Sequence, residues 1–221
     1  MKQPKTHVIF DLDGTLLDSE RLYTEASQAV VGRYGKVYDW SVKRLVVGGA
    51  ALAGARTVVE HLGLPITAEA YLHEREGLLR ELCRTVQPMP GAEALVERLA
   101  ALAVPMGIGT SSQRQLCELK LAAQRFVQHF ACIVCSDDAG VQHAKPAPDI
   151  FLEVARQLGA APERCVVLED TPNGVRAARA AGMDVIAVVD PNMRGEDFSG
   201  ALVLLESLEA CSLEVLGVRL R

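Results

Sequence analysis

The sequence predicts an α/β fold, a three-layer Rossmann-like parallel sheet core with an inserted all-helical domain. Three observations lead there. Short β-rich apolar runs alternate with helix-period stretches, a pattern that gives a parallel sheet with helices on both faces. The first run is separated from the second by 92 residues, far more than one crossover helix needs. Polar clusters fall at or just past the ends of the runs, where open α/β sheets bind ligands.

The strand-like runs are His7–Asp11, Val104–Thr110, Ala131–Ser136, Arg164–Glu169 and Asp184–Val189, with a weaker one at Ala201–Leu204. Between them Ala92, Leu95, Val96, Leu99 and Leu102 share one helical face, as do Ile150, Phe151, Val154, Ala155 and Leu158. A third helix opens at Thr171-Pro172, a capping residue followed by proline at the first helical position, and stops at Gly182. The long gap holds three further stripes and no strand pattern. They are Leu22, Tyr23, Ala26 and Val30; Leu52, Ala55, Val59 and Leu62; and Tyr71, Leu72, Arg75, Leu78, Leu79 and Leu82. The expected division is a helical insertion over residues 18–86, with 1–17 and 87–221 forming the core and Pro88-Met89-Pro90-Gly91 marking re-entry.

Composition bounds the function. Of 221 residues 49% are apolar and 23% charged, enough to bury a core and too apolar for disorder. The net charge of −5 and the scarcity of aromatics disfavour a nucleic-acid partner. The longest charge-free stretch, Leu99 to Gln113, is interrupted by Pro105 and is too short to span a membrane. The first apolar run ends at Asp11 with no cleavage signature, so no signal peptide is expected and the cytoplasm is the default location. Six scattered cysteines are then expected as free thiols, Cys132-Ile133-Val134-Cys135 included, because residues three apart on a strand face opposite ways. A monomer is the default.

Four clusters carry candidate chemistry. Asp11-Leu12-Asp13-Gly14-Thr15 ends the first strand. Carboxylates at i and i+2 point to one side of an extended chain and call for a cation or a shared proton; a solvated acidic turn is the plainer alternative. Thr110-Ser111-Ser112 ends the second strand and suits a phosphate, or simply caps a helix. Lys145, set among prolines in His143-Ala144-Lys145-Pro146-Ala147-Pro148-Asp149, could neutralise a phosphoryl group or be a surface lysine. Glu169-Asp170 suits a hard cation such as Mg²⁺, or supplies acidity favourable to a helix N-terminus. Arg176 and Arg179 read as solvated. His7, His61, His73 and His129 lack metal-ligand spacing.

Taken together, the motifs D-x-D-G-T at 11–15, Thr110, Lys145 and Glu169/Asp170 resemble those of the haloacid dehalogenase superfamily of Asp-nucleophile phosphohydrolases. The inserted region resembles the helical cap of its β-phosphoglucomutase-like branch. Glu20-Arg21-Leu22-Tyr23, Met89-Pro90-Gly91-Ala92-Glu93, Val141-Gln142-His143-Ala144-Lys145-Pro146 and Glu169–Val175 are further similar to the pseudouridine-5′-phosphatases. The resemblance implies a Mg²⁺-dependent phosphatase of a small phosphomonoester, with pseudouridine 5′-phosphate the first candidate. It implies Asp11 as nucleophile, Asp13 as general acid and base, and Lys145 holding nucleophile and phosphate together. Thr110 and Ser111 would bind phosphate, and Thr15 would position Asp13. Metal ligands would be Asp11, Asp13, Asp170 and, directly or through water, Glu169. Specificity is expected from Glu20, Tyr23, Lys43, Arg44, Gly48 and Gly49 of the cap, although Lys43 and Arg44 also read as a solvated helix face. A phosphomutase and a non-catalytic binding protein of the same fold are the competing readings. Against the first stands Tyr23, where the mutases carry a histidine.

Overall fold

The computed structural model describes residues 4–46, 51–193 and 195–218. Contacts divide the chain into two compact units, Met1–Asp18 with Gln87–Arg221, and Ser19–Val86.

The first unit is built on six parallel strands, β1 (His7–Phe10), β2 (Met106–Gly109), β3 (Cys132–Val134), β4 (Cys165–Glu169), β5 (Asp184–Val188) and β6 (Val203–Leu205), in the order β3-β2-β1-β4-β5-β6. β1 is central, with Val8 opposite Met106 on one side and Val166 on the other. The order reverses beside β1, so the chain leaves β1 and β4 in a crevice at their carboxyl ends. Strands buried on both faces carry apolar side chains throughout, and every residue of β2, β4 and β5 is buried. Side chains alternate. Ile9, Cys165, Val167, Val185 and Ala187 pack with Ile150, Phe151, Val154, Val175 and Ala178. Phe10 turns the other way and meets Phe130 edge-on at 5.6 Å.

The expected helices of this unit are present. Among the described residues four helices belong to the other unit, α1 (Ser19–Gly32), α2 (Trp40–Lys43), α3 (Ala51–Leu62) and α4 (Ala68–Cys83). Those of the first unit follow as α5 (Ala92–Ala101), α6 (Arg114–Leu121), α7 (Asp149–Gln157), α8 (Pro172–Ala180) and the short α9 (Leu213–Leu216). α8 starts as its sequence dictates, with the Thr171 hydroxyl accepting from the Gly174 N–H at 3.1 Å. β2 begins two residues later than its apolar run, because Pro105 has no N–H for the ladder; its carbonyl still accepts from Val8 N–H at 3.1 Å.

Two chain crossings next to β1 lie side by side. Leu17 and Pro88 form an antiparallel bridge, Met89 N–H donates to Leu16 O at 2.9 Å, and Asp18 N–H donates to Gln87 O at 2.9 Å.

The Ser19–Val86 unit contains helices and, among its described residues, no strand. Val30, Val31, Tyr38, Val42, Ala55, Val58, Leu64, Ala68 and Tyr71 form its core. The stripe read for α3 is rotated: Val58 is buried, whereas Leu52, in the first turn, is 37% exposed. Arg75, the one charge in the α4 stripe, lies over the rings of Tyr23 and Tyr71, 5.9 and 6.0 Å from their centroids. Among the described residues no helix is long and apolar enough to cross a membrane. All six cysteines are free.

Candidate active site

The carboxyl end of β1 delivers Asp11 into the crevice, its N–H anchored on Leu168 O of β4 at 2.9 Å. Asp11 is 5% exposed. Gly14 then turns the chain sharply. Its φ is +83°, and a Cβ there would stand 2.1 Å from Asp170 Oδ2, so both conformation and space require glycine. That turn presses the acidic loop against the end of β4 and brings Asp11, Glu169 and Asp170 together. One carboxylate oxygen of each lies within 4.8 Å of the others.

Lys145 enters this group from the loop before α7. Its ammonium donates to Asp11 Oδ1 at 2.5 Å, Glu169 Oε1 at 2.8 Å and Gly109 O at 3.3 Å, and sits 4.6 Å over the ring of Phe151. The side chains of Lys145, Asp11 and Glu169 are all more than nine-tenths buried. Burial would lower the pKa of Lys145, but Asp11 and Glu169 together carry it above the ordinary lysine value. Burial pushes Asp11 up to about 7. Lys145 pulls against that shift, while Glu169 and Asp13 add to it. Glu169 is fully engaged: its other oxygen accepts from Asp170 N–H at 2.8 Å, Thr171 N–H at 2.6 Å and the Thr171 hydroxyl at 2.9 Å. Gly174 makes room for it, since a Cβ there would fall 1.7 Å from Glu169 Oε1.

Three buried or half-buried carboxylates against one ammonium leave uncompensated negative charge. An all-oxygen set of this kind fits a hard divalent cation.

Asp13 has different surroundings. One oxygen accepts from the ammonium of Lys120, the other from the Ser112 hydroxyl at 2.8 Å and, at 3.4 Å, from that of Thr110. Lys120 also donates to Ser112 Oγ at 2.9 Å, and Ser112 N–H donates to Thr110 Oγ1 at 3.0 Å. Thr110 is buried and Ser111 exposed. Thr15 departs from expectation. Its hydroxyl reaches Asp170 Oδ1, at 3.5 Å, and not Asp13, because the turn at Gly14 directs it toward the end of β4.

The structure thus gathers Asp11, Asp13, Thr110, Lys145, Glu169 and Asp170 at one sheet edge. Sequence reasoning missed Lys120 and passed over Ser112. The signal for Lys120 was present: on α6 it shares a face with Cys117 and Leu121, all three buried, and a lysine on an apolar stripe needs a partner.

In the helical unit the ammonium of Lys43 is 3.0 Å from Glu20 Oε2 and donates to Glu20 O and Thr24 Oγ1, each at 3.0 Å; it also lies 5.5 Å over the ring of Trp40. The solvated reading of Lys43 is therefore overturned, whereas Arg44 is exposed. Gly48 and Gly49 lie outside the described residues.

Gly14→Ala is expected to lower turnover at least tenfold and to destabilise the fold by about 1–2 kcal/mol through its left-handed backbone. Gly63→Ala supplies the control, because Gly63 has φ +61° with nothing within 4 Å. Melting curves should show a loss for both variants, the larger one for Gly14→Ala because its Cβ also meets Asp170, and activity should fall only for Gly14→Ala. Equal activity in the two would show that contact with Asp170 does not matter.

A family profile described as haloacid dehalogenase-like hydrolase matches residues 5–182. The "Probable pseudouridine-5′-phosphatase" of Drosophila melanogaster is 43% identical over 217 residues, 96% of this chain and 94% of that protein. The (DL)-glycerol-3-phosphatase 2 of Arabidopsis thaliana is 41% identical over 196 residues, 85% of this chain and 81% of its own. A crystal structure of a HAD family hydrolase from Deinococcus radiodurans, with bound phosphate and sodium, is similar over 98% of this chain and 99% of that one, at a TM-score of 0.81 and 27% identity. The chain belongs to the haloacid dehalogenase-like hydrolases and is a phosphatase acting on phosphorylated small molecules.

Proposed function

We propose that the protein is a Mg²⁺-dependent phosphatase that hydrolyses a small phosphomonoester through an aspartyl-phosphate on Asp11, with pseudouridine 5′-phosphate as its first candidate substrate. The observation that carries the reading is the separation of two carboxylates two residues apart. Asp11 is buried against Lys145, while Asp13 is held by a different set of donors. Different environments let neighbouring carboxyls take different roles.

An oxygen of Asp11 attacks phosphorus in line with the ester oxygen. As the ester P–O bond breaks, its electron pair stays on the leaving oxygen, which takes a proton from Asp13. Asp13 then accepts a proton from the water that attacks the phosphorylated Asp11, and the acyl P–O bond breaks to free phosphate and the Asp11 carboxylate. Lys145 keeps Asp11 and the incoming phosphate from repelling one another. The Thr110 hydroxyl and Ser111 N–H hold phosphate oxygens. A divalent cation held by Asp11, the Asp13 carbonyl, Asp170 and Glu169 would supply the remaining positive charge. Glu169 would act directly or through water, its two oxygens already accepting hydrogen bonds.

The helical unit is assigned leaving-group specificity through Glu20, Tyr23 and Arg44. Lys43 is occupied in holding Glu20.

Phosphate release from pseudouridine 5′-phosphate, glycerol 3-phosphate and a series of sugar phosphates, ranked by kcat/KM, tests the reading. Pseudouridine 5′-phosphate is expected to rank first; another ester ahead of it by tenfold would remove that assignment. Conversion of a sugar 1-phosphate to its 6-phosphate in preference to free phosphate would favour the mutase. EDTA is expected to abolish release and Mg²⁺ to restore it. Full activity in chelator would take the metal out of the scheme.

A further inference from the structure

The site contains two buried lysines, and the reaction as described uses only Lys145. Lys120 is fully buried on α6, between Cys117 and Leu121, which are also buried. An ammonium taken out of water is costly, and a buried lysine is tolerated only where charged or polar partners accept its hydrogen bonds. Its contacts show what the charge does. Lys120 donates to Asp13 Oδ1 and, at 2.9 Å, to Ser112 Oγ, while the Ser112 hydroxyl donates a hydrogen bond to Asp13 Oδ2 at 2.8 Å. The three side chains close a ring in which each oxygen of Asp13 has its own donor. The backbone N–H of Ser112 is in turn tied to Thr110 Oγ1, and Ser136 N–H to Ser112 O at 3.1 Å, so the ring is fastened to the ends of β2 and β3.

We infer that Lys120, with Ser112, is a positioning residue for Asp13, fixing the carboxyl that moves the proton to and from the substrate's leaving oxygen. Each carboxylate of the D-x-D pair then has a dedicated lysine: Lys145 for the attacking Asp11, Lys120 for the proton-carrying Asp13. The inference rests on the phosphatase reading in which Asp13 serves the leaving group. A side chain that acts on proton delivery through Asp13 has a signature that general structural damage lacks. An alkoxide leaving from an alkyl ester needs the Asp13 proton as the P–O bond breaks. A 4-nitrophenolate keeps the electron pair without it. Misplacing Asp13 therefore slows phosphorylation of Asp11 by alkyl esters and spares that by the aryl ester.

The experiment compares single-turnover ester cleavage by the full chain and by Lys120→Met, with pseudouridine 5′-phosphate and glycerol 3-phosphate as alkyl esters and 4-nitrophenyl phosphate as the aryl ester. Lys120→Met is expected to cleave the alkyl esters about 100-fold more slowly, near the lower end of what a positioned acid contributes, with the aryl ester slowed less than about tenfold. The aryl-to-alkyl ratio then rises at least about tenfold. Ser112→Ala, a smaller change, is expected to shift the ratio the same way and serves if Lys120→Met does not fold. An unchanged ratio overturns the inference, whether both rates fall together or KM alone rises, since that is what structural damage or direct phosphate binding by Lys120 would give. Absence of phosphate release from all three esters by the unsubstituted protein would instead bring down the phosphatase reading, and this inference with it.

Discussion

Asp11→Asn is expected to lower phosphate release at least about a thousandfold, which is about 4 kcal/mol of lost transition-state stabilisation. The amide is nearly isosteric, so the Gly14 turn and the packing around β1 should persist. What is lost is the charged oxygen that attacks phosphorus. Retention of a tenth of the rate would exclude Asp11 as the nucleophile. The same variant reports on stability. In the metal-free protein burial holds the Asp11 carboxyl at about 7, well above its ordinary value of 3.8. Between those two values the folded chain binds more of this proton than the unfolded chain does. Its contribution to stability is therefore fully present below about pH 4 and is lost as pH rises through about 7. Asparagine has no such titration. Relative to the parent, Asp11→Asn should gain stability as pH rises from 4 to 7, by up to about 1.4 kcal/mol per pH unit. Urea unfolding at several pH values, in chelator, measures the difference. A gap independent of pH would show that Asp11 ionises normally.

Lys145→Met is expected to have the second largest effect. Lys145 is the ammonium lying between the Asp11 and Glu169 carboxylates. Without it two buried carboxylates face each other, and removal of one partner from a buried ion pair costs about 3–5 kcal/mol. Glu169 keeps three other donors, so the burden falls on Asp11, which can escape it by taking up a proton. The loss of stability should accordingly be larger at pH 8 than at pH 6. A protonated Asp11 is a poor nucleophile, and the phosphate would lose a fixed positive neighbour, so turnover should fall by about 10²–10³ even where the variant is folded. Activity within tenfold of the parent would mean that Lys145 only supports the loop before α7.

Much of this site could be read from sequence because its residues stand at strand ends. A parallel strand buried on both faces is a bare apolar run, so its end is visible wherever polar residues begin, and Asp11, Thr110, Glu169 and Asp170 all occupy such points. Lys145 was marked by the prolines around it. Lys120 is marked only by the apolar stripe it shares with Cys117 and Leu121, which says that it needs a partner and not which one. Which acid it meets depends on where α6 carries it relative to Asp13, and that is not written in the residues next to it. Lys43 was misjudged for a related reason. A basic pair at the end of a short helix looks solvated until its partners, Glu20 and Thr24 on α1, are known. Thr15 failed on geometry alone, since one left-handed residue at Gly14 decides which acid it faces.

The paired crossings beside β1 bear on how such a chain folds. Residues 16 and 89 are hydrogen-bonded neighbours, so to the sheet everything between them is a loop whose ends already meet. The entropy of closing a flexible loop grows only with the logarithm of its length, each doubling adding about 0.6 kcal/mol. The sheet's demand on the insertion is thus confined to its two ends. The nucleation of β1 against β2 and β4 is correspondingly insensitive to what the loop encloses. A segment of other length or composition could be spliced between Leu17 and Pro88 with little penalty to the sheet, which leaves the residues at the strand ends and the content of the insertion free to vary separately.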